Sequence, residues 1–282
     1  MTQIAPGTPR YFAWLYSDAR LQAILAPLFG IESEIGAALQ PGLEHSVAHV
    51  RMTWWAEEAE RLRGGHALHP LSRALLAQRP AGTETAVAGP DVSGLVDTAT
   101  WDLARATFES RRELLGYCGR WAQALPQLAS AWGVPQMPPA LAAQFGQQAG
   151  TALCELEMLL TLQAAARLGR LRVPLDELAR AAVPPEALAS TPWPAGLCEH
   201  LRLRHRALRA ALDASGELLT APAHRTALRG LLVWIALAQR HSQRAESALP
   251  HAWQRSRRDG IGDAVLAWRA ARRAMKSTRQ HP

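Results

Sequence analysis

Closely spaced glutamates are the residues of this sequence whose types and spacing best suit chemistry. They stand at Glu32/Glu34, Glu57/Glu58/Glu60, Glu109/Glu113 and Glu155/Glu157. Two carboxylates four residues apart share one helix face and can hold Mg²⁺ against phosphate oxygens, whereas carboxylates two residues apart point to different sides. Glu109/Glu113 has the required spacing, but three arginines surround it, so a solvated, salt-bridged surface is the simpler explanation.

Other reactive residues point to no further site. His45 and His49 lie one helical turn apart, but no third ligand is near them in sequence, so we expect no metal there. The sequence contains no HExxH segment, no glycine-rich phosphate loop, no GxSxG segment and no zinc-ligand spacing. The three cysteines are far apart and form no CxxC pair, which is typical of reduced, buried thiols in a cytoplasmic protein.

Helices must position these residues, because sequence signals for strands are almost absent. Apolar residues recur at three- and four-residue steps, most clearly in residues 97–132 and 145–160. Breaks rich in proline and glycine separate these segments. At 48% hydrophobic and 20% charged residues, the composition excludes disorder as the dominant state. We therefore predict an all-α protein with a single domain over residues 1–282.

Two segments have distinctive patterns in a fixed order. They are RMTWW at residues 51–55, with the pattern R-x-x-WW, and GRLRVPLDEL at residues 169–178, with the pattern GR-x-x-x-P-x-x-x-L. Shorter segments accompany them, namely Arg20-Leu21, His69-Pro70-Leu71 and Glu113-Leu114-Leu115. Together they resemble the squalene/phytoene synthase family over nearly the whole chain. The resemblance implies the isoprenoid-synthase fold, a helical bundle around a central apolar cavity.

The resemblance also implies two aspartate-rich motifs that hold Mg²⁺, and this chain departs from both. Glu34 falls where the first aspartate of the first motif belongs, but apolar residues occupy the other acid positions. In the second motif, Leu160 and Thr161 stand where an Arg-Asp pair is expected, and Ala165 replaces the next aspartate. Because Mg²⁺ requires several oxygen ligands, we assign no catalytic residue and expect no metal and no cofactor.

These departures favour a non-catalytic relative that binds an isoprenoid or lipid, or acts as an assembly or scaffold factor for a protein partner at the membrane surface. The C-terminal segment is similar to a divergent branch of the family that includes respiratory complex I assembly factors. The alternative is an active head-to-head prenyl-diphosphate synthase that uses unusual carboxylates and Mg²⁺. We expect no nucleic-acid partner, because no reading motif accompanies the basic charge.

Several retained residues are candidates for binding a ligand. They are Glu32, Arg51, Trp54, Trp55, Tyr117, Glu157 and Arg170. Arg51 could bind an anionic ligand or pair with Glu32 or Glu34. Because Trp54 and Trp55 are adjacent, we expect one in the core and the other against the cavity or a neighbouring helix. Tyr117 is most simply a core residue, and Arg170 could instead bind carbonyls at a helix C-terminus.

The positive charge is concentrated at the C-terminus. The formal net charge is +7, and residues 252–282 hold eight cations and two carboxylates. We predict a basic helix over about residues 259–279, whose apolar stripe consists of Ile261, Val265, Trp268 and Met275. Such a helix suits an anionic membrane surface, and the surface candidates are Trp268, Arg269, Arg272 and Arg273. The alternative is that the stripe packs onto the body.

The rest of the sequence indicates where the protein acts. The N-terminal residues lack a signal-peptide pattern, and no apolar run is long enough to span a bilayer. We expect a cytoplasmic protein that is peripheral on the inner face of the membrane.

Overall fold

The protein is built from α-helices. The structure is a computed structural model that describes residues 4–80 and 89–276, apart from the side chains of residues 257 and 258. Its helices are α1 (Pro9–Leu15), α2 (Ala19–Ala37), α3 (His45–Arg63), α4 (Pro70–Leu76), α5 (Ser93–Leu103), α6 (Arg111–Ala122), α7 (Leu128–Gly133), α8 (Pro139–Leu160), α9 (Leu162–Arg167), α10 (Leu175–Arg180), α11 (Ala195–Glu217), α12 (Pro222–Ala227), α13 (Arg229–Ala248) and α14 (Arg257–Lys276). No strand occurs in the described ranges, and the all-α prediction is confirmed.

Side-chain caps set where the first two helices begin. The Thr8 hydroxyl accepts a hydrogen bond from the Tyr11 amide at 3.2 Å, and Pro9 occupies the first turn of α1. The Asp18 carboxylate accepts from the Leu21 amide at 2.8 Å at the start of α2. Each cap satisfies a backbone N–H that has no partner inside its helix. The two caps therefore fix the starts of α1 and α2, and these two helices contact each other.

Helix α8 lies at the centre of the bundle. It packs against α6, α11 and α13, and against a π-helical turn, Gln123–Gln127, that joins α6 to α7. Gly146 and Gly150 permit the close approach, because a Cβ atom at Gly146 would lie 2.3 Å from the Gln127 Cα atom. At Gly150 it would lie 2.6 Å from the Ala122 Cβ atom. One face of α8 therefore contacts backbone directly.

Two hydrophobic clusters hold the helices together. The larger cluster connects α2, α3, α5, α6, α8, α11 and α13. The smaller cluster consists of Phe12, Val233, Leu237, Ala267 and Ala271, and it lies between α1, α13 and α14. Among the described residues no helix has the length and apolar character needed to cross a bilayer.

Candidate functional site

Arg10 of α1 lies between two glutamates that are far apart in the sequence. Its Nε and Nη2 atoms donate to the Glu32 carboxylate of α2, each at 2.8 Å. Its Nη1 and Nη2 atoms donate to the Glu157 carboxylate of α8 at 3.0 and 2.9 Å. Paired N–H groups that face a planar carboxylate make strong charge-assisted hydrogen bonds. We call Arg10, Glu32 and Glu157 the arginine bridge, because it ties α1 to both α2 and α8.

Three aromatic rings surround the guanidinium group of the arginine bridge. The Arg10 Cζ atom lies 5.0 Å from the ring centroid of Trp234, 5.9 Å from that of Phe29 and 6.0 Å from that of Trp121. The Trp121 indole N–H also donates to Glu32 at 3.0 Å. Aromatic faces attract a cation within about 6 Å of the ring centroid. The rings thus stabilise a positive charge between α2, α6, α8 and α13.

The electrostatics of the arginine bridge favour a permanent internal cation. Burial acts to lower the pKa of Arg10, but the charges of Glu157 and Glu32 outweigh it, and the pKa of Arg10 is raised. Burial is also the largest influence on Glu157, and with the charge of Glu32 it raises the pKa of Glu157 in spite of Arg10. With all three groups ionised, the bridge carries one net negative charge.

Glu155, two residues before Glu157, belongs to a different cluster. Its carboxylate is buried and accepts from Arg111 of α6 and, at 2.6 Å, from Arg204 of α11. The two glutamates therefore face different sides of α8, as their spacing predicts. The same holds on α2, where Glu32 faces Arg10 and Glu34 is exposed to solvent. Of the motif-region carboxylates, Glu32 and Glu157 therefore meet at Arg10, whereas Glu34 and Glu155 face other sides of their helices.

Mg²⁺, which the resemblance implies, does not fit the donors found here. The four oxygens of Glu32 and Glu157 already accept from Arg10, and the exposed Thr161 hydroxyl donates to the Glu157 carbonyl at 2.9 Å. Ala165 offers no side-chain oxygen. Within residues 4–80 and 89–276 no three His, Cys, Asp or Glu side chains form a group that could hold a metal ion. Hard cations need several converging oxygens, and this site offers a guanidinium group instead.

A cavity of about 320 Å³ opens beside the arginine bridge. Its lining residues are Ile4, Ala5, Thr8, Arg10, Phe29, Gly30, Glu32 and Ser33. The cavity is therefore lined by apolar side chains and by two members of the arginine bridge, Arg10 and Glu32. Its size falls at the lower end of ligand sites, which start at about 300 Å³.

The R-x-x-WW segment lies on α3, and its arginine makes neither of the ion pairs considered for it. Glu32 is bound by Arg10, and within the described residues Arg51 is exposed and pairs with neither Glu32 nor Glu34. Trp55 is buried, whereas Trp54 is 38% exposed. Both indoles contact the His69 ring at the start of α4, with centroids 5.8 Å away for Trp54 and 4.9 Å for Trp55. The segment thus joins α3 to α4.

Tyr117 and Arg170 both bind protein groups. Tyr117 is buried, and its hydroxyl donates to Asp102 at 3.2 Å. Arg172 binds the same carboxylate through two bonds of 2.6 and 2.7 Å. Burial raises the pKa of Tyr117 well above its ordinary value. The Arg170 Nη2 atom donates to the Leu39 carbonyl at 3.0 Å, just beyond the end of α2, so this cation meets the C-terminus of a distant helix.

The C-terminal candidates lie on the outer side of α14. Trp268, Arg269, Arg272 and Arg273 are exposed, and the guanidinium group of Arg272 lies 4.8 Å from the Trp268 ring centroid. The apolar stripe is exposed as well. The alternative that the stripe packs onto the body is therefore wrong. Predicted residues 277–279 of this helix lie outside the described residues.

Sequence reasoning missed Arg10, Trp121 and Trp234. Arg10 is separated from Glu32 by 22 residues and from Glu157 by 147 residues, so no local pattern relates them. The Thr8-Pro9 pair predicts the start of a helix. This signal would have placed Arg10 in the first turn of a helix, but it does not indicate which residues Arg10 contacts.

The comparisons with known proteins agree with one another. The sequence matches the family model described as squalene/phytoene synthase over residues 35–261. A crystal structure of a dehydrosqualene synthase in complex with ligand has a TM-score of 0.75 at 12% identity, covering 95% of this chain and 92% of that one. Squalene synthase HpnC from Alicyclobacillus acidocaldarius has a TM-score of 0.65 at 16% identity, covering 89% and 88%. No curated protein sequence matches the chain significantly.

Proposed function

The chain belongs to the squalene/phytoene synthase family, and we propose that it is a non-catalytic member that acts as a lipid-binding or assembly factor at a membrane surface. The observation that carries the proposal is the arginine bridge. The guanidinium group of Arg10 takes all four oxygens of Glu32 and Glu157, one glutamate from each of the two motif regions.

Ionisation of a prenyl diphosphate requires cations that neutralise the departing diphosphate. Arg10 is the one cation of the bridge, and two carboxylates already bind it. The bridge has no spare positive charge, so a diphosphate would meet net negative charge there. The degenerate positions Glu34, Thr161 and Ala165 supply one exposed carboxylate, one hydroxyl engaged with the backbone and one methyl group.

What the chain retains supports a binding role. The isoprenoid-synthase fold, the cavity beside the arginine bridge and a basic surface helix are all present. The cavity joins apolar walls to an ionic edge, which suits a lipid with a small polar end. Lipid binding and assembly of a protein partner therefore use surfaces that need no metal chemistry.

The decisive experiment is a turnover assay. Purified protein is incubated with labelled farnesyl or geranylgeranyl diphosphate and Mg²⁺, and the extract is analysed for hydrocarbon products. We expect no squalene- or phytoene-type product. A product that Glu34→Gln or Glu157→Gln abolishes, while the exposed control Glu109→Gln retains it, would establish the active synthase instead.

A further inference from the structure

We propose that the outward face of α14 is a docking site for an anionic lipid bilayer. This deepens the proposed membrane-surface role and rests on that part of the proposed function, but not on the absence of catalysis. Ile261 is 74% exposed, and Val265, Trp268 and Met275 are 45%, 47% and 44% exposed. Their spacing places them in one stripe, about 21 Å long at 1.5 Å per residue.

The opposite face of α14 is anchored, so the helix cannot rotate to bury the stripe. Ala267, Ala271 and Ala274 are at most 2% exposed. Small side chains there allow α14 to lie close to α13 and α1. The exposed stripe is thus a consequence of how α14 packs.

A buried carboxylate adds an ionic anchor to that face. Asp263 accepts from Arg255 at 2.6 Å and lies 2.9 Å from the His241 ring nitrogen. Arg240 lies 3.2 Å from the other Asp263 oxygen. Turning the helix would expose the alanines and break this cluster, which is costly because a buried charge would lose its partners.

The charges of α14 are sorted between its two faces. Asp259 and Asp263 are buried and pair with arginines of the body and of the preceding loop. Arg269, Arg272, Arg273 and Lys276 are all exposed. Arg272 lies over the Trp268 ring within the stripe. The outward surface therefore presents an apolar stripe bordered by cations, with the carboxylates of α14 turned inward.

This arrangement fits lipid headgroups better than another protein surface. Tryptophan is suited to the boundary between headgroups and acyl chains, because it has an apolar ring and a polar N–H. Arginine and lysine extend their charges to phosphate groups while their stems cover apolar surface. A surface helix with these features binds anionic membranes through burial of its apolar side chains and through attraction of its cations to the lipid phosphates.

The test is co-sedimentation with vesicles. Full-length protein is mixed with phosphatidylcholine vesicles, with or without about 30% phosphatidylglycerol, at low and high salt. We expect binding to the anionic vesicles at low salt, weakened by salt and by omission of the anionic lipid.

Matched variants locate the surface. Arg269→Gln with Arg273→Gln should weaken binding about 25-fold, about fivefold per cation, and Trp268→Ser should weaken it about tenfold. The controls are Arg73→Gln with Arg112→Gln, which removes the same charge from exposed sites elsewhere, and Leu203→Ser, which removes an exposed apolar side chain of α11. Both controls should bind as wild type does.

Three results would overturn the proposal. The first is no binding to anionic vesicles at low salt, and the second is that the control variants weaken binding as much as the α14 variants do. The third is a lipid-free dimer in analytical ultracentrifugation that Trp268→Ser dissociates, because such a dimer would show that the stripe binds a second copy of the chain. All the substituted side chains are exposed, and unchanged circular dichroism verifies the fold. Failure of vesicle binding leaves the turnover assay unaffected, and detected turnover leaves vesicle binding unaffected, so the two proposals fail separately.

Discussion

Removing the cation of the arginine bridge should destabilise the protein strongly. Arg10→Met keeps most of the side-chain volume but leaves Glu32 and Glu157 facing each other without a counter-charge. Breaking a buried ion pair by removing one partner costs about 3–5 kcal/mol. The side chains of Arg10, Glu32 and Glu157 are 27%, 22% and 32% exposed, so water screens part of this effect. We expect a loss of about 2–4 kcal/mol in the free energy of unfolding.

The assay is urea denaturation at pH 7, followed by circular dichroism. A double-mutant cycle with Glu157→Gln isolates the interaction, because Arg10→Met combined with Glu157→Gln removes one of the stranded charges. The coupling free energy should be about 1–3 kcal/mol. The control is Arg63→Met, which breaks an exposed pair with Glu60 on α3 and should change stability by less than about 0.5 kcal/mol.

One result would refute the reasoning. If Arg10→Met destabilises no more than Arg63→Met, the guanidinium group does not hold α1 against α2 and α8.

Three further predictions concern other parts of the bundle. Gly146→Ala should destabilise by more than about 2 kcal/mol in urea unfolding, because its methyl group meets the Gln127 backbone, whereas Gly36→Ala, with nothing within 4 Å, should be neutral or stabilising. Burial lowers the pKa of His205 from 6.5 to about 4 in the folded protein. Between these pH values the unfolded chain binds a proton that the folded protein does not, so the free energy of unfolding falls as pH drops from 6.5 towards 4. At pH 5 His205 should account for a loss of about 2 kcal/mol, absent in His205→Gln and kept in the exposed control His66→Gln. Arg172→Met should cost about 3 kcal/mol, and Tyr117→Phe, which keeps the Arg172–Asp102 pair, about 1 kcal/mol.

The helical architecture could be predicted because it follows from local patterns. Apolar residues at three- and four-residue steps predict helices wherever they occur, and proline and glycine mark the breaks. The region between α6 and α7 is an exception to the rule that proline marks a break. Pro126 lies there in a π-helical turn, and the helix continues through it. The contact of that turn with Gly146 explains the small residue on α8.

The loss of the aspartate motifs could also be recognised from the sequence, because it depends on residue types at known spacings. The arginine partners of each glutamate could not be recognised in this way. Glu155 and Glu157 look equivalent in sequence, but Glu155 binds Arg111 and Arg204 while Glu157 binds Arg10. The suggested pairing of Arg51 with Glu32 or Glu34 does not form, because Arg10 on α1 binds Glu32 and Arg51 is exposed.

The C-terminal helix separates the two kinds of information most clearly. Its basic charge and apolar stripe are properties of the sequence, since a helical period alone places Ile261, Val265 and Trp268 together. Whether the stripe faces inward or outward depends on which face the neighbouring helices take, and α13 takes the alanine face. By itself the sequence determined the helices, the family and the absence of the acidic motifs, because these depend on local spacing. Only the tertiary structure decided that Arg10 joins Glu32 to Glu157 and that α14 turns its tryptophan to solvent, because long-range packing selects partners that local patterns do not specify.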